Sequence, residues 1–238
     1  MSDDPVPPLP PVDPTTAEVP AASLSPELLA SLLTSGDDEL AAWTLQHALR
    51  ESPRAVVYDG LLREAMHLVG ERWASGRWSV ADEHLASRTL MRALEQVRPK
   101  QGPEARVGPV AVLAGAAGEQ HMIGLVCLEQ TLQEHGWTTA NLGADVPTED
   151  LARYVAENEV SLVALSASNP ARLDALSAAI GAVRAAGRGR HIRVLLGGRI
   201  TEPGGPPIDP APDWAGTSLV EATAYATSIE TGGGSATD

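Results

Sequence analysis

The sequence predicts a two-part fold, an N-terminal four-helix bundle followed by an α/β unit built on a doubly wound parallel sheet. Three observations predict it. Up to about residue 98, apolar positions such as Val57, Leu61, Leu62, Ala65, Leu68 and Val69 recur at helical spacing. Beyond the Pro99 to Pro103 stretch the pattern changes to short apolar runs separated by amphipathic segments. These runs end in small or polar residues, as strands do where an open α/β sheet feeds its ligand-binding loops.

The first 23 residues hold Pro5, Pro7, Pro8, Pro10, Pro11, Pro14 and Pro20 among several acids, which removes backbone donors and predicts a disordered tail. Ser25 then offers an N-cap oxygen and Pro26 a pre-set first helical position. Four helices follow, near 26 to 34, 37 to 50, 53 to 71 and 79 to 97, with breaks at Gly36, at Ser52 and Pro53, and at Gly76. The linker is placed at 99 to 105 and the α/β unit at 106 to 230. Candidate strands are Val107 to Leu113, Thr138 to Asn141, Leu162 to Leu165, Val194 to Leu196, and a weak fifth at Asp213 to Ala215. Helices near 123 to 135, 148 to 157, 170 to 187 and 218 to 228 alternate with them. The small, polar residues 231 to 238 predict a second frayed end.

With 238 residues, 43% of them hydrophobic, the chain can bury real cores; Phe is absent, so those cores are aliphatic with five Trp as anchors. The formal charge of −14 and the lack of a Lys/Arg cluster argue against direct nucleic-acid binding. No stretch approaches the roughly 20 apolar residues that span a bilayer, so no membrane partner is expected. Cys127 is the single cysteine and reads as buried filler, which excludes an internal disulfide and a thiolate cluster and fits a cytoplasmic location.

The most informative loop is Gly118 to Gly124, with Glu119, Gln120 and His121 between the first strand and its helix. A glycine-ended loop of this kind presents one imidazole as a metal donor at the carboxyl edge of a sheet. Ser166 and Ser168 follow the third strand and Gly197 and Gly198 the fourth, so three small loop segments share that edge. These segments resemble the cobalamin-binding fold of methionine synthase, corrinoid carriers and B12-dependent mutases, whose sheet is flavodoxin-like. The resemblance covers residues 106 to 230. It implies that His121 is the lower cobalt ligand and that Glu119, at a position usually held by Asp, bonds the other imidazole nitrogen. Ser166 and Ser168 would line the pocket for the nucleotide tail, and Gly197 and Gly198 would leave it open. Asp145, after the second strand, reads as a turn or helix-start residue rather than a ligand.

In the helical region Trp73 is followed after nine residues by Glu83 and His84. This arrangement is similar to the light-sensing domain of CarH-type B12 photoreceptors, in which a helical bundle caps 5′-deoxyadenosylcobalamin. The resemblance, over about residues 25 to 230, implies that Trp73 fills the space above the cobalt–carbon bond while Glu83 and His84 hydrogen-bond the adenosyl group. Green light cleaves that bond, the adenosyl group leaves, and the bundle moves relative to the sheet domain.

Two departures shape the expectation. The acidic proline-rich tail stands where the family carries a winged-helix DNA-binding domain, so the signal is expected to pass to a separate regulatory protein. Ala74 stands where well-studied members have the histidine that becomes the upper cobalt ligand after illumination, which leaves His84, His47, His67 or water for that position. The expectation is therefore a non-enzymatic adenosylcobalamin light sensor acting in transcription regulation, with a homo-oligomer as a further possibility. The alternatives are a corrinoid carrier holding methylcobalamin for a methyltransferase system and a cobalamin store or sensor indifferent to light.

Overall fold

A computed structural model of the chain describes residues 24–100 and 108–232. The tail expected at 1 to 23, the end beyond 232 and most of the linker lie outside the described residues. In the helical half, α1 (Pro26–Ser35) starts on Ser25, whose Oγ accepts from the Leu28 N–H, and ends at Gly36, which takes the left-handed conformation at φ 80°. Asp37 caps α2 (Asp38–Glu51) through its side chain. The expected third helix runs three residues further than its pattern suggested. It comprises α3 (Arg54–Val57), a π-helical turn Tyr58–Leu62, and α4 (Arg63–Ala74). Trp73 consequently lies in a helical last turn. A capping box starts α5 (Val80–Gln96), with Ser79 Oγ accepting from the Asp82 N–H and the Asp82 carboxylate accepting from the Ser79 N–H. One such cap stabilises a helix by about 1 kcal/mol.

The second half alternates strand and helix. Its strands are β1 (Val110–Gly115), β2 (Thr138–Gly143), β3 (Leu162–Ser166), β4 (Arg193–Gly197) and β5 (Trp214–Ala215). They form one parallel sheet in the order β2-β1-β3-β4-β5, the flavodoxin-like doubly wound arrangement. The helices are α6 (Ile123–Glu134), α7 (Thr148–Glu157), α8 (Leu173–Ala186) and α9 (Leu219–Gly232). Strand residues alternate between the two faces. Val112, Val163, Leu165, Val194 and Leu196 pack under α7 and α8, while Ala111, Leu113, Leu162, Ala164 and Leu195 pack under α6 and α9 with the buried Trp137.

The helical half is seated on α6. Val126 and Cys127 of that helix belong to the same apolar cluster as Leu29, Leu45, Leu62, Leu90 and Leu94, with Ile123 and Leu219 packed at its border. That seating explains why α6 is buried along nearly its whole length and on both sides. No described helix is long and apolar enough to cross a membrane.

Candidate functional site

At the carboxyl edge of the sheet, the loops after β1 and β2 are tied together. The Glu119 N–H donates to the Ala116 carbonyl at 2.8 Å, the Asp145 N–H to the Glu119 carbonyl at 2.8 Å, and the Gly118 N–H to an Asp145 carboxylate oxygen at 2.5 Å. Asp145 is thus a turn residue, in the left-handed region at φ 52°. Gly118, at φ 81°, has the Arg172 guanidinium against it, and a Cβ there would come within 2.4 Å of an Arg172 nitrogen.

Inside that frame lies Glu119, only 3% exposed. Its Oε1 accepts from the His121 backbone N–H at 2.8 Å and lies 2.5 Å from His121 Nδ1. Its Oε2 accepts from the Ser168 backbone N–H. Burial raises the pKa of this carboxyl, but the donors from His121 and Ser168 outweigh it and hold the group below its ordinary range. The acid is therefore ionised at neutral pH and acts only as an acceptor. It fixes Nδ1 as the protonated nitrogen and leaves Nε2 with its lone pair. The His121 side chain is 71% exposed, so this nitrogen faces outward. Gln120, beside it, is exposed. Among the described residues no cluster of three or more His, Cys, Asp or Glu is placed to hold an ion. A metal bound at His121 would then draw its remaining donors from the group that carries it, as a cobalt corrin does.

The two serines and the glycine pair meet at the same edge. Ser166, buried at the end of β3, is paired with Gly115 on one side and Gly197 on the other. The two glycines differ in role. A Cβ on Gly197 would meet nothing nearer than the Gly216 carbonyl at 3.8 Å, an ordinary van der Waals contact, so the position has room for a methyl group. Gly198, at φ 96°, would put a Cβ 2.2 Å from the Ala167 carbonyl oxygen, so it permits a close approach of two loops rather than an opening. Gly124, in the first turn of α6, borders open space. Ser168 contributes its backbone N–H to Glu119, a role its hydroxyl did not suggest. Small residues beside an exposed, carboxylate-held imidazole fit the needs of a cobalamin site, in which His121 would be the residue to hold the cobalt.

In the bundle, Trp73 and the Glu83 and His84 pair flank one turn, residues 75 to 79. Trp78 packs on the core under the Arg72 guanidinium, 4.6 Å from its ring, whereas Trp73 is 49% exposed. Glu83 holds His84 Nδ1 at 2.6 Å and accepts from Ser87 Oγ at 2.8 Å. Among the described residues, no hydrogen bond or ion pair joins these three to the His121 loop.

Sequence reading missed a second set of polar residues, between bundle and sheet. Arg54 donates to Tyr58 Oη at 2.7 Å and to the Val97 carbonyl at 3.1 Å. Tyr58 donates to Gln130 Oε1 at 2.6 Å, and Gln130 Nε2 donates to the Leu94 carbonyl at 2.8 Å. From the π turn, the Asp59 carboxylate accepts from Ser218 Oγ, the Leu219 N–H and the Val220 N–H at 2.8 to 3.1 Å, capping α9 from the other domain. One signal was available in the polar run Glu129, Gln130 and Thr131, which interrupts α6 directly after the apolar Leu125 to Leu128.

Fold and site together define a cobalamin-binding protein. B12-binding domain models match residues 109–205 and, separately, residues 27–98, so both halves are of B12-binding type. Two curated relatives come from Myxococcus xanthus. The HTH-type transcriptional repressor CarA is 37% identical over 108 residues, covering 45% of this chain and 35% of that protein. The HTH-type transcriptional repressor CarH is 33% identical over 129 residues, covering 51% and 40%. The alignments thus span well under half the length of these relatives. Among solved structures, the monomethylamine corrinoid protein of Methanosarcina barkeri superimposes with a TM-score of 0.66 at 18% identity, over 85% of this chain and 96% of that one, a likeness of fold.

Proposed function

We propose that the chain is an adenosylcobalamin-binding light sensor, not an enzyme, with residues 106 to 230 holding the cofactor and residues 24 to 98 covering its upper face. The adenosyl form supplies a cobalt–carbon bond that green light breaks. His121, oriented by Glu119, holds the lower face. Trp73 covers the adenosyl group, and Glu83 and His84 offer it hydrogen bonds. Loss of those contacts releases the bundle's hold on the upper face, and a separate cytoplasmic regulatory protein receives the change.

One observation carries this reading. Trp73 is half exposed in the last turn of α4, and the hydrogen-bonded Glu83 and His84 pair lies across the following turn at the start of α5, while Trp78, five residues on from Trp73, is used by the core. A large aromatic left uncovered on one side of a turn, with paired hydrogen-bonding groups on the other, suits a bulky, polar upper ligand better than a methyl group. The likeness to two transcriptional repressors supports a regulatory role. The test is reconstitution with adenosylcobalamin in the dark, followed by absorption spectra and size-exclusion profiles before and after a green pulse. A stable photoproduct with altered elution is expected. Equal affinity for methylcobalamin and photolysis without structural consequence would turn the reading to a methyl carrier.

A further inference from the structure

The bundle meets the sheet domain very unevenly. At one end Tyr58 and Gln130 are 1% and 0% exposed and, with Arg54, form a polar network that links α3, the π turn, α5 and α6. Beside it Asp59 caps α9, and Arg63 donates to the Thr217 carbonyl at 2.9 Å. Arg98, at the linker end of α5, pairs with the buried Glu129 at 3.2 Å. Pulling this seam apart would strip the Gln130 amide of its bonds to Arg54, Tyr58 and Leu94 and the Asp59 carboxylate of its bonds to Ser218, Leu219 and Val220, and such groups are costly to leave unpaired. At the other end, Trp73, Val80 and Leu85 are exposed. Among the described residues, none from 72 to 90 makes a hydrogen bond or ion pair with the sheet domain.

We infer that the seam is a fixed fulcrum. Asp59, with Arg54, Tyr58 and Gln130, positions the bundle, and any movement of the bundle swings its Trp73 to Leu85 end while the seam stays closed. The inference rests on the proposed role of Trp73, Glu83 and His84 over the cofactor. It differs from detachment of the bundle as a rigid body, because a hinge beside the linker keeps α6 and α9 covered throughout.

Amide hydrogen exchange tests it in three states: cofactor-free, loaded with adenosylcobalamin in the dark, and after a green pulse. Amides of residues 55 to 62, 94 to 98 and 126 to 134 are expected to keep their protection within about twofold across the states, while those of 72 to 90 lose about tenfold or more without the adenosyl group. Parallel loss at both ends, or no change at 72 to 90, overturns the fulcrum. A second readout separates positioning from mere stability. Asp59→Ala is expected to lower the ratio of adenosylcobalamin to hydroxocobalamin affinity by about threefold or more, because only the former is gripped from above, and Asp59→Asn, whose amide must oppose either the Leu219 or the Val220 N–H, to recover only part of it. Equal loss for both cobalamins, or an unchanged ratio, refutes the positioning role. Failure of the native chain to bind or photolyse adenosylcobalamin would sink the light-sensor reading alone. The exchange contrast between seam and free end in the cofactor-free protein would still decide the fulcrum.

Discussion

Removing the Glu119 carboxylate is the sharpest perturbation of the lower-face site. In Glu119→Ala, the His121 N–H, the His121 ring and the Ser168 N–H all lose their acceptor at a position only 3% exposed. Hydrogen bonds to a charged partner contribute about 1.5–3 kcal/mol each, but the imidazole is largely solvated and recovers part of its loss from water. What remains is the orientation and basicity of the imidazole, for which loss of a partner behind a metal ligand costs about 10- to 100-fold in affinity, or about 1.4–2.8 kcal/mol. Glu119→Gln is not benign either, since an amide turns one of its two faces into a donor and must oppose either the Ser168 or the His121 N–H. Glu119→Asp retains the charge but, one methylene shorter, is expected to keep its contacts with His121 and lose the one to Ser168. The assay is spectrophotometric titration with hydroxocobalamin, with thermal melting as the control for folding. The expected order of affinity is native, then Asp, then Gln and Ala. Unchanged affinity and spectrum in Glu119→Ala, on a folded protein, would refute the orienting role.

His121→Ala should weaken cobalamin binding and shift the visible spectrum, and an unshifted spectrum would remove this residue from the cobalt. Trp73→Ala should loosen adenosylcobalamin while sparing methylcobalamin, measured as the ratio of the two dissociation constants. The glycine pair should divide by role: Gly198→Ala, strained at φ 96° and blocked by the Ala167 carbonyl, costs about 1–3 kcal/mol in a chemical melt. Gly197→Ala should leave the melt unchanged and reduce cobalamin binding, since its Cβ meets only an ordinary van der Waals contact in the protein and would intrude on the ligand edge. Asp213 governs part of the acid response. Burial raises its pKa, but the Val194 N–H and the Arg193 and Arg184 guanidiniums outweigh that and depress it. A depressed carboxylate stabilises the fold above its unfolded pKa of about 3.9 and ceases to do so as pH falls through the lower folded value. Asp213→Asn should thus be less stable than the native chain at neutral pH, and the gap should close as pH falls below the unfolded value of about 3.9; a constant gap would refute the linkage.

Much of this was legible in residues whose local chemistry has few solutions. Ser25 with Pro26, and Gly36, marked helix ends because caps act within a turn. The short continuous apolar runs from Val110 onward marked buried parallel strands for the same local reason. Glu119 and His121 were legible as a pair because they are two residues apart. The part played by Ser168 was not, since its backbone N–H reaches Glu119 only after β1 and β3 lie side by side. Gly198 read as an opening because sequence cannot tell a glycine that leaves space from one that lets two backbones touch. The π turn and the capping of α9 by Asp59 leave no periodic trace. They depend on contacts about 160 residues apart in the chain and exist only once the halves have docked.

The lone thiol provides a chemical clock. Cys127 is enclosed between bundle and sheet, and burial pushes its pKa well up, so the reactive thiolate is scarce for two independent reasons. A maleimide or disulfide reagent should ignore the native protein and modify this position only at the rate at which the two halves part. The same silence leaves the surface free of competing sulfur. One cysteine introduced near residue 80 could carry a dye without any background to remove, and two signals, a fast label outside and a slow one within, would then time separate motions in a single sample.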